Sequence, residues 1–529
     1  SPGLEGHLVF SYFKFLQLNQ LCSLSPDNAT ALEKGGCLHI PTTTTLDHLI
    51  KAYFLYVHPN LPIVDEGHFW SIYTNQEETR SKPSRISLFL FQAMLFAASN
   101  HVPLRILQFC GFKSVREARK TLYHRAKANF DETQALFDLE SEREQVVLAQ
   151  GALLLSHYSS NLERHSNTFW LSVAIRSAKE YGAHLYECDA NLTKYERQMK
   201  KRLWWSCVLR DRILTLGLRR PLQIDCLYTS DKGLNDDDFD QDIGNSKVYD
   251  VGTQRLLAKI LVAQTRLAVE MTDAITILYP PDGSLHIPLT CQETLDRVSL
   301  ESDRCNAKLT AWFEDVHSWV SGFPKGCHAS VSLYSSLMYI YYHTARLALC
   351  NHRLALALWS TSEDQSHIRH LDTVCGEVRA SAAAVIYIVQ DLLSLNIAKH
   401  LPISAVAYTA LPFVLSALEI KFSNIPPTPS FPICVPLDTL QTYTETMNCF
   451  QSQYEGAEEV NYIMDRLLWE AEYHLHNLSL HEHEQLSFGR ESKYGSGILA
   501  QSPKIHLRVV FAFDLSFSRG RFPNDSDFP

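Results

Sequence analysis

No two of the thirteen cysteines, which run from Cys22 to Cys449, stand in C-x2-C spacing. That excludes a zinc knuckle within these residues, because such sites set two thiolates on one tight turn. The cysteine count is odd and the gaps are long, which argues against a disulfide framework and for a reducing compartment. No run of eighteen apolar residues occurs; the nearest, Ala405 to Ile420, is interrupted by Tyr408, Thr409 and Pro412 and reads as a buried helix, so no membrane partner is expected. No signal peptide is visible, and the first residue is Ser, which leads us to expect an incomplete or processed N-terminus. G-x-G-x-x-G, a P-loop, a G-x-S-x-G elbow and H-E-x-x-H are all missing, so nothing positive stands for catalysis. Basic excess is missing too. Lys and Arg number 48 against 58 Asp and Glu, for a net charge of −10, where a DNA-binding face carries the opposite balance.

What is present is apolar and periodic. Hydrophobic residues make up 46% and charged residues 20%, enough to bury a large core. At 529 residues the chain exceeds the usual single core of about 250–300 residues. The expected fold is all-α, a large helical array of antiparallel helix pairs. We expect a partly irregular segment at 1–45, a helical core at 46–330, a C-terminal helical half at 331–480 and an irregular tail at 481–529.

The chain is organised around Met199 to Ile224, MKKRLWWSCVLRDRILTLGLRRPLQI. Trp204, Cys207, Val208 and Asp211 share one helical face. A carboxylate on that side is costly unless paired. Arg202, Arg210, Arg212, Arg219 and Arg220 lie close in sequence as candidate partners. Pro221 stops the helix.

Other stretches read similarly. A helix ahead of His58-Pro59 is expected from Leu46, with Thr42 to Thr45 at its cap. Residues 86–102 read as a buried helix, and 114–133 as an amphipathic helix whose basic stripe (Arg116, Arg119, Lys120, Arg125, Lys127) is a solvated face or touches phosphate. A tyrosine-rich helix at 331–360 is core or lines a ligand pocket. The Pro-rich stretch 423–436 reads as a linker. Two metal readings arise, one from His58, Asp65 and His68, the other from His474, His476, His481 and His483.

Arg202-Leu203-Trp204-Trp205, Asp211-Arg212 and Arg219-Arg220-Pro221 resemble the signature of the fungal-specific transcription factor domain, the all-helical middle region of zinc-cluster (Zn2Cys6) regulators. Tyr53-Phe54, His58-Pro59, Pro62-Ile63 and Phe69 are similar to the family's opening motif. Trp170, Ala174 to Arg176 and Gly182 to His184 match a second, and Tyr342-His343 with Cys350 to Arg353 a third. Most members end the first signature with Gly-Arg-Pro; Arg219-Arg220-Pro221 resembles the branch that includes the cutinase transcription factors of the beta type.

The resemblance implies a nuclear transcription regulator of metabolic genes, for lipid, cutin or secondary-metabolite use. It implies that Arg202, Trp204, Trp205, Asp211, Arg212, Arg220 and Pro221 form a folding motif rather than a catalytic one. No cofactor is expected in this chain; zinc and DNA contact belong to a zinc cluster expected outside it. Co-regulators, a homodimer or a small-molecule inducer are the expected partners. Two other readings stay open. Asp236, Asp237 and Asp240 spell D-D-x-x-D, which in a helical prenyl-transfer enzyme binds Mg²⁺. The chain could also be a headless adaptor.

Overall fold

The computed structural model describes residues 7–9, 13–17, 30, 32–74, 84–136, 142–160, 163, 165–225, 233–283, 285, 291–324, 326–360, 365–421, 439–482, 499 and 502–528. Strands β1 (His7–Val9) and β2 (His39–Pro41) pair antiparallel, with His7 opposite Pro41. Everything else of regular structure among the described residues is helical, apart from one isolated bridge between Leu16 and Ile86.

Helix α1 (Thr43–Tyr56) starts three residues before Leu46; Thr42 takes the extended cap conformation but its side chain makes no cap bond. Its apolar positions, Leu46, Leu49, Ile50, Tyr53 and Phe54, are all buried. A single 3-10 turn carries His58-Pro59. Helix α2 (Glu66–Tyr73) is capped by Asp65, whose Oδ1 accepts from the His68 N–H at 2.7 Å. Helix α3 (Leu88–Ala98) is buried on every side, as its uniformly apolar sequence requires. Helices α4 (Leu104–Phe109), α5 (Val115–Leu136), α6 (Glu142–Leu155) and α7 (Ser166–Glu180) follow. Gly151 of α6 sits so close to α3 that an added Cβ would fall 2.2 Å from the Phe89 ring, so only glycine permits this approach.

The motif helix, α8, spans Lys194–Leu218 and begins five residues before Met199. Thr193 and Glu196 close a reciprocal capping box, a T-x-x-E signal that periodicity alone passes over. Lys200 and Lys201 therefore sit past the first turn, away from the positive end of the helix dipole. Helix α9 (Val251–Leu278), α10 (Gln292–Val320), α11 (Ala329–Trp359), α12 (Gln365–Ser394) and α13 (Ser404–Lys421) complete the middle of the chain. Helices α14 (Thr439–Gln453) and α15 (Gly456–Glu482) follow, separated by Tyr454 and Glu455. Consecutive helices pack as neighbours, α6 on α7, α9 on α10, α10 on α11 and α11 on α12. Helix α13 is long and apolar enough to cross a membrane by length and composition, yet 67% of it is buried within the fold.

The tail departs from the irregular segment expected at 481–529. Residues Pro503–Arg519 form helix α16, closed by Gly520 in the left-handed conformation. Eleven positions from Ile505 to Ser516 are buried, while Lys504, Arg508 and Arg519 fall together on the opposite side, so the helix does carry a polar stripe at helical spacing. The Pro-rich stretch 423–436 and His483 lie outside the described residues, as do the side chains of His476 and His481.

Candidate functional site

Helix α8 touches α6, α7, α9, α13 and α16, so it is the hub through which the halves of the chain meet. Nearly all its side chains from Lys200 to Gly217 are buried. Trp204 and Trp205 are each 1% exposed. Trp205 Nε1 donates to the Tyr186 hydroxyl at 3.3 Å, and the Trp204 ring lies 5.6 Å from the His184 ring. Gly182 takes a left-handed φ of 71° to turn the chain from α7 into that contact. The Gly182 to His184 motif thus exists to seat a ring against the tryptophans.

The arginines do not converge on Asp211. They fan out, each to a different element. Arg202 Nη2 meets Asp242 at 2.7 Å while its Nε donates to the Pro62 carbonyl at 2.9 Å. This joins the motif helix to the Pro62-Ile63 motif near the start of the fold. Arg210 donates to the Ser156 hydroxyl and carbonyl at 3.0 and 2.6 Å, tying α8 to the end of α6. Arg220 reaches Thr168 on α7 at 3.2 Å, and the Pro221 carbonyl accepts from Thr215 at 3.3 Å. Arg219 pairs with Asp514 on α16 at 2.8 Å.

Only Arg212 pairs with Asp211, at 2.7 Å. Asp211 also accepts the backbone N–H groups of Gln223 at 3.1 Å and Ile224 at 3.0 Å, so it pins the segment after Pro221 back onto the helix. Burial pushes the Asp211 carboxyl up, and the Arg212 charge with these two N–H groups pulls it back. Burying that charge without such partners would be costly.

Arg219 is the residue at which the resemblance leads us to expect Gly. It occupies the left-handed region, φ 56° and ψ 47°, and its N–H closes on Thr215. A side chain in that region costs about 1 kcal/mol. The ion pair with Asp514 offsets that cost.

The acidic loop is spoken for in the same way. Lys201 Nζ meets Asp238 at 2.7 Å and Lys194 meets Asp240 at 2.8 Å. Asp236 and Asp237 are exposed, and the 3-10 turn Asp236–Phe239 turns Asp238 inward instead. The D-D-x-x-D residues do not form a Mg²⁺ cage: Asp236 and Asp237 face solvent and Asp240 pairs with Lys194. His58 is buried, with Nε2 3.9 Å from Asp242, while Asp65 serves as a helix cap. Burial and the Arg202 charge hold His58 down at about 3, so its ring is neutral. Among the described residues no three His, Cys, Asp or Glu side chains gather to hold a metal ion.

The third motif anchors the far side. Arg353 pairs with Asp303 at 2.8 Å and with Glu377, which Arg346 also meets at 3.0 Å. Asn351 Oδ1 accepts from His506 Nε2 of α16 at 2.8 Å. Trp170 Nε1 donates to the Tyr123 hydroxyl at 3.0 Å, and Tyr123 in turn to Glu163 at 2.8 Å.

Residues 50–319 match the fungal specific transcription factor domain. The chain belongs to that family. As a fungal specific transcription factor domain protein, it is similar to a transcription factor of Fusarium pseudograminearum, 27% identical over 90% of this chain and 53% of that protein. It is also similar to cutinase transcription factor 1 beta of Fusarium vanettenii, 24% identical over 75% of this chain and 47% of the relative. The acetamidase regulatory protein of Aspergillus fumigatus is 30% identical over 38% of this chain and 24% of its own length. The chain spans about half the length of the first two. No solved structure matches. The family and these relatives are transcription regulators, not enzymes.

Proposed function

We propose that these residues are the regulatory body of a fungal nuclear transcription factor acting on metabolic genes, and that DNA contact is made elsewhere. One observation carries the reading. The family's signature arginines are spent inside the fold: Arg202, Arg210, Arg212 and Arg219 are each 4% exposed or less. A phosphate backbone needs accessible cations, and the net charge of −10 is opposite in sign to the excess a DNA-binding domain carries. The cysteines do not fit a zinc cluster either; Cys37, Cys110, Cys207, Cys305 and Cys350 are buried and dispersed. Similarity to a cutinase transcription factor supports genes for cutin or lipid use as the targets.

The test is a fusion of this chain to an unrelated DNA-binding domain in a fungal host carrying a matching reporter. Reporter transcription should change with carbon source, and a nuclear signal should accompany it. A fusion that binds its site but leaves the reporter flat on every carbon source overturns the reading. The isolated chain should not shift a DNA duplex at physiological salt.

A further inference from the structure

The basic stripe of α5 is divided: Arg116, Lys120 and Lys127 stay partly exposed, whereas Arg119 and Arg125 turn into the fold. Arg119 and Arg125 are 6% and 8% exposed. Arg119 Nη2 donates to the His157 carbonyl at 3.1 Å, and its guanidinium lies 4.8 Å from the Phe96 ring centre and 5.0 Å from that of Tyr454. Among the described residues it has no carboxylate. Arg202, Arg212, Arg219 and Arg353 are each given one. Arg210 also goes without, but Ser156 closes over two of its donors. Arg119 instead faces a cavity of about 50 Å³.

The lining carries a single formal charge, that of Arg119, and no acidic residue. Asn60 Oδ1 and Asn100 Oδ1 are buried there without a hydrogen-bond partner and can only accept. The Tyr334 hydroxyl, His101 Nδ1 and His400 Nδ1 are likewise without a partner, and each of these three can present a hydrogen. The Tyr56 ring stacks on His400 at 3.8 Å and on His101 at 5.3 Å, fixing both imidazoles in place. Burial keeps both rings neutral, with His400 held down at about 4. A buried cation and three possible donors, in a space free of carboxylates, favour an anion, and the two amide oxygens are left for an O–H of the occupant or a water. The volume holds roughly three to five water-sized atoms.

We propose that this cavity binds a small oxyanion, of the size of a short-chain carboxylate, with Arg119 as counter-charge. Tyr334, His400 and Tyr454 lie beyond the family segment, which ends at residue 319, whereas Arg119 and His101 lie within it. An occupant therefore fastens the two parts of the chain together, and differential binding shifts their packing. That regulatory consequence rests on the function proposed above; the binding does not.

The experiment is titration of the whole purified chain with acetate and with inorganic phosphate against chloride at matched ionic strength, followed by calorimetry and thermal unfolding. One-site, saturable binding of either anion is expected. Arg119→Gln should weaken it by more than about tenfold, the usual worth of a charged hydrogen bond. Ala97→Met, which fills the cavity from α3, should leave the chain folded and abolish the response; it decides the matter if Arg119→Gln does not fold. Absence of saturable binding by both anions, or native-like binding in either folded variant, overturns the proposal. Neither result touches the reporter experiment.

Discussion

Arg219 Nε lies 2.8 Å from Asp514 Oδ1, joining the end of the motif helix to a helix 295 residues further along the chain. Both residues are buried, at 1% and 6% exposure. The pair closes the fold between its signature and its C-terminal helix, and it holds an arginine in a backbone conformation that glycine would adopt freely.

Breaking this pair from one side should destabilise the protein by about 3–5 kcal/mol, as Asp514→Ala leaves a buried guanidinium without its carboxylate. Arg219→Gly relaxes the backbone by about 1 kcal/mol and so should cost less than Asp514→Ala. The double variant should be more stable than the sum of the two single losses. Urea unfolding of the four proteins measures the coupling; strict additivity would show that the two residues do not interact.

Asp211→Ala should misfold or lose about 3–5 kcal/mol, since it strips the carboxylate from Arg212 and from the N–H groups of Gln223 and Ile224. Thermal unfolding and soluble yield report it. A variant as stable as the native chain would refute the role given to this carboxylate.

Gly151→Ala should destabilise despite the better helix propensity of alanine, which is worth about 1 kcal/mol. The added methyl meets the Phe89 ring at 2.2 Å, and overpacking costs about 1–3 kcal/mol. Gly151→Ala combined with Phe89→Leu should recover part of the loss. Calorimetric unfolding of the two variants distinguishes a steric cause from any other.

Acid should unfold the protein through its buried histidines. His58 and His506 are held neutral, each at about 3 in the fold. In the unfolded chain they titrate near 6.5, so the unfolded state binds the protons. Their stabilising effect is complete above about pH 6.5 and is lost as pH falls towards 3, at about 2 kcal/mol for each between pH 7 and 5. Denaturant midpoints at pH 7 and 5 test this; His506→Gln should flatten the dependence.

Much of the helical order was legible because periodicity and capping are local. The helix ahead of His58-Pro59, the buried helix at 88–98 and the motif helix all stand where apolar spacing put them, within a few residues. Helix α16 was legible as well and was passed over. Lys504, Arg508 and Arg519 fall on one side of a 3.6-residue helix, but His506 and Asp514 within the buried face blur the pattern to the eye. The capping box at Thr193 could have been read from T-x-x-E and would have moved the start of α8 to its place.

By itself the sequence determined an all-α chain, a motif helix of tryptophans and arginines, and the family these residues belong to, because spacing along a helix is fixed by the chain alone. The tertiary structure decided where each arginine went. A guanidinium reaches several ångströms in any direction, so nearness to Asp211 in sequence could not choose among Asp242, Ser156, Thr168 and Asp514. The same reason hid Arg119. A basic stripe on a helix is solvated or buried according to what packs against it, and only the assembled fold placed a cavity there.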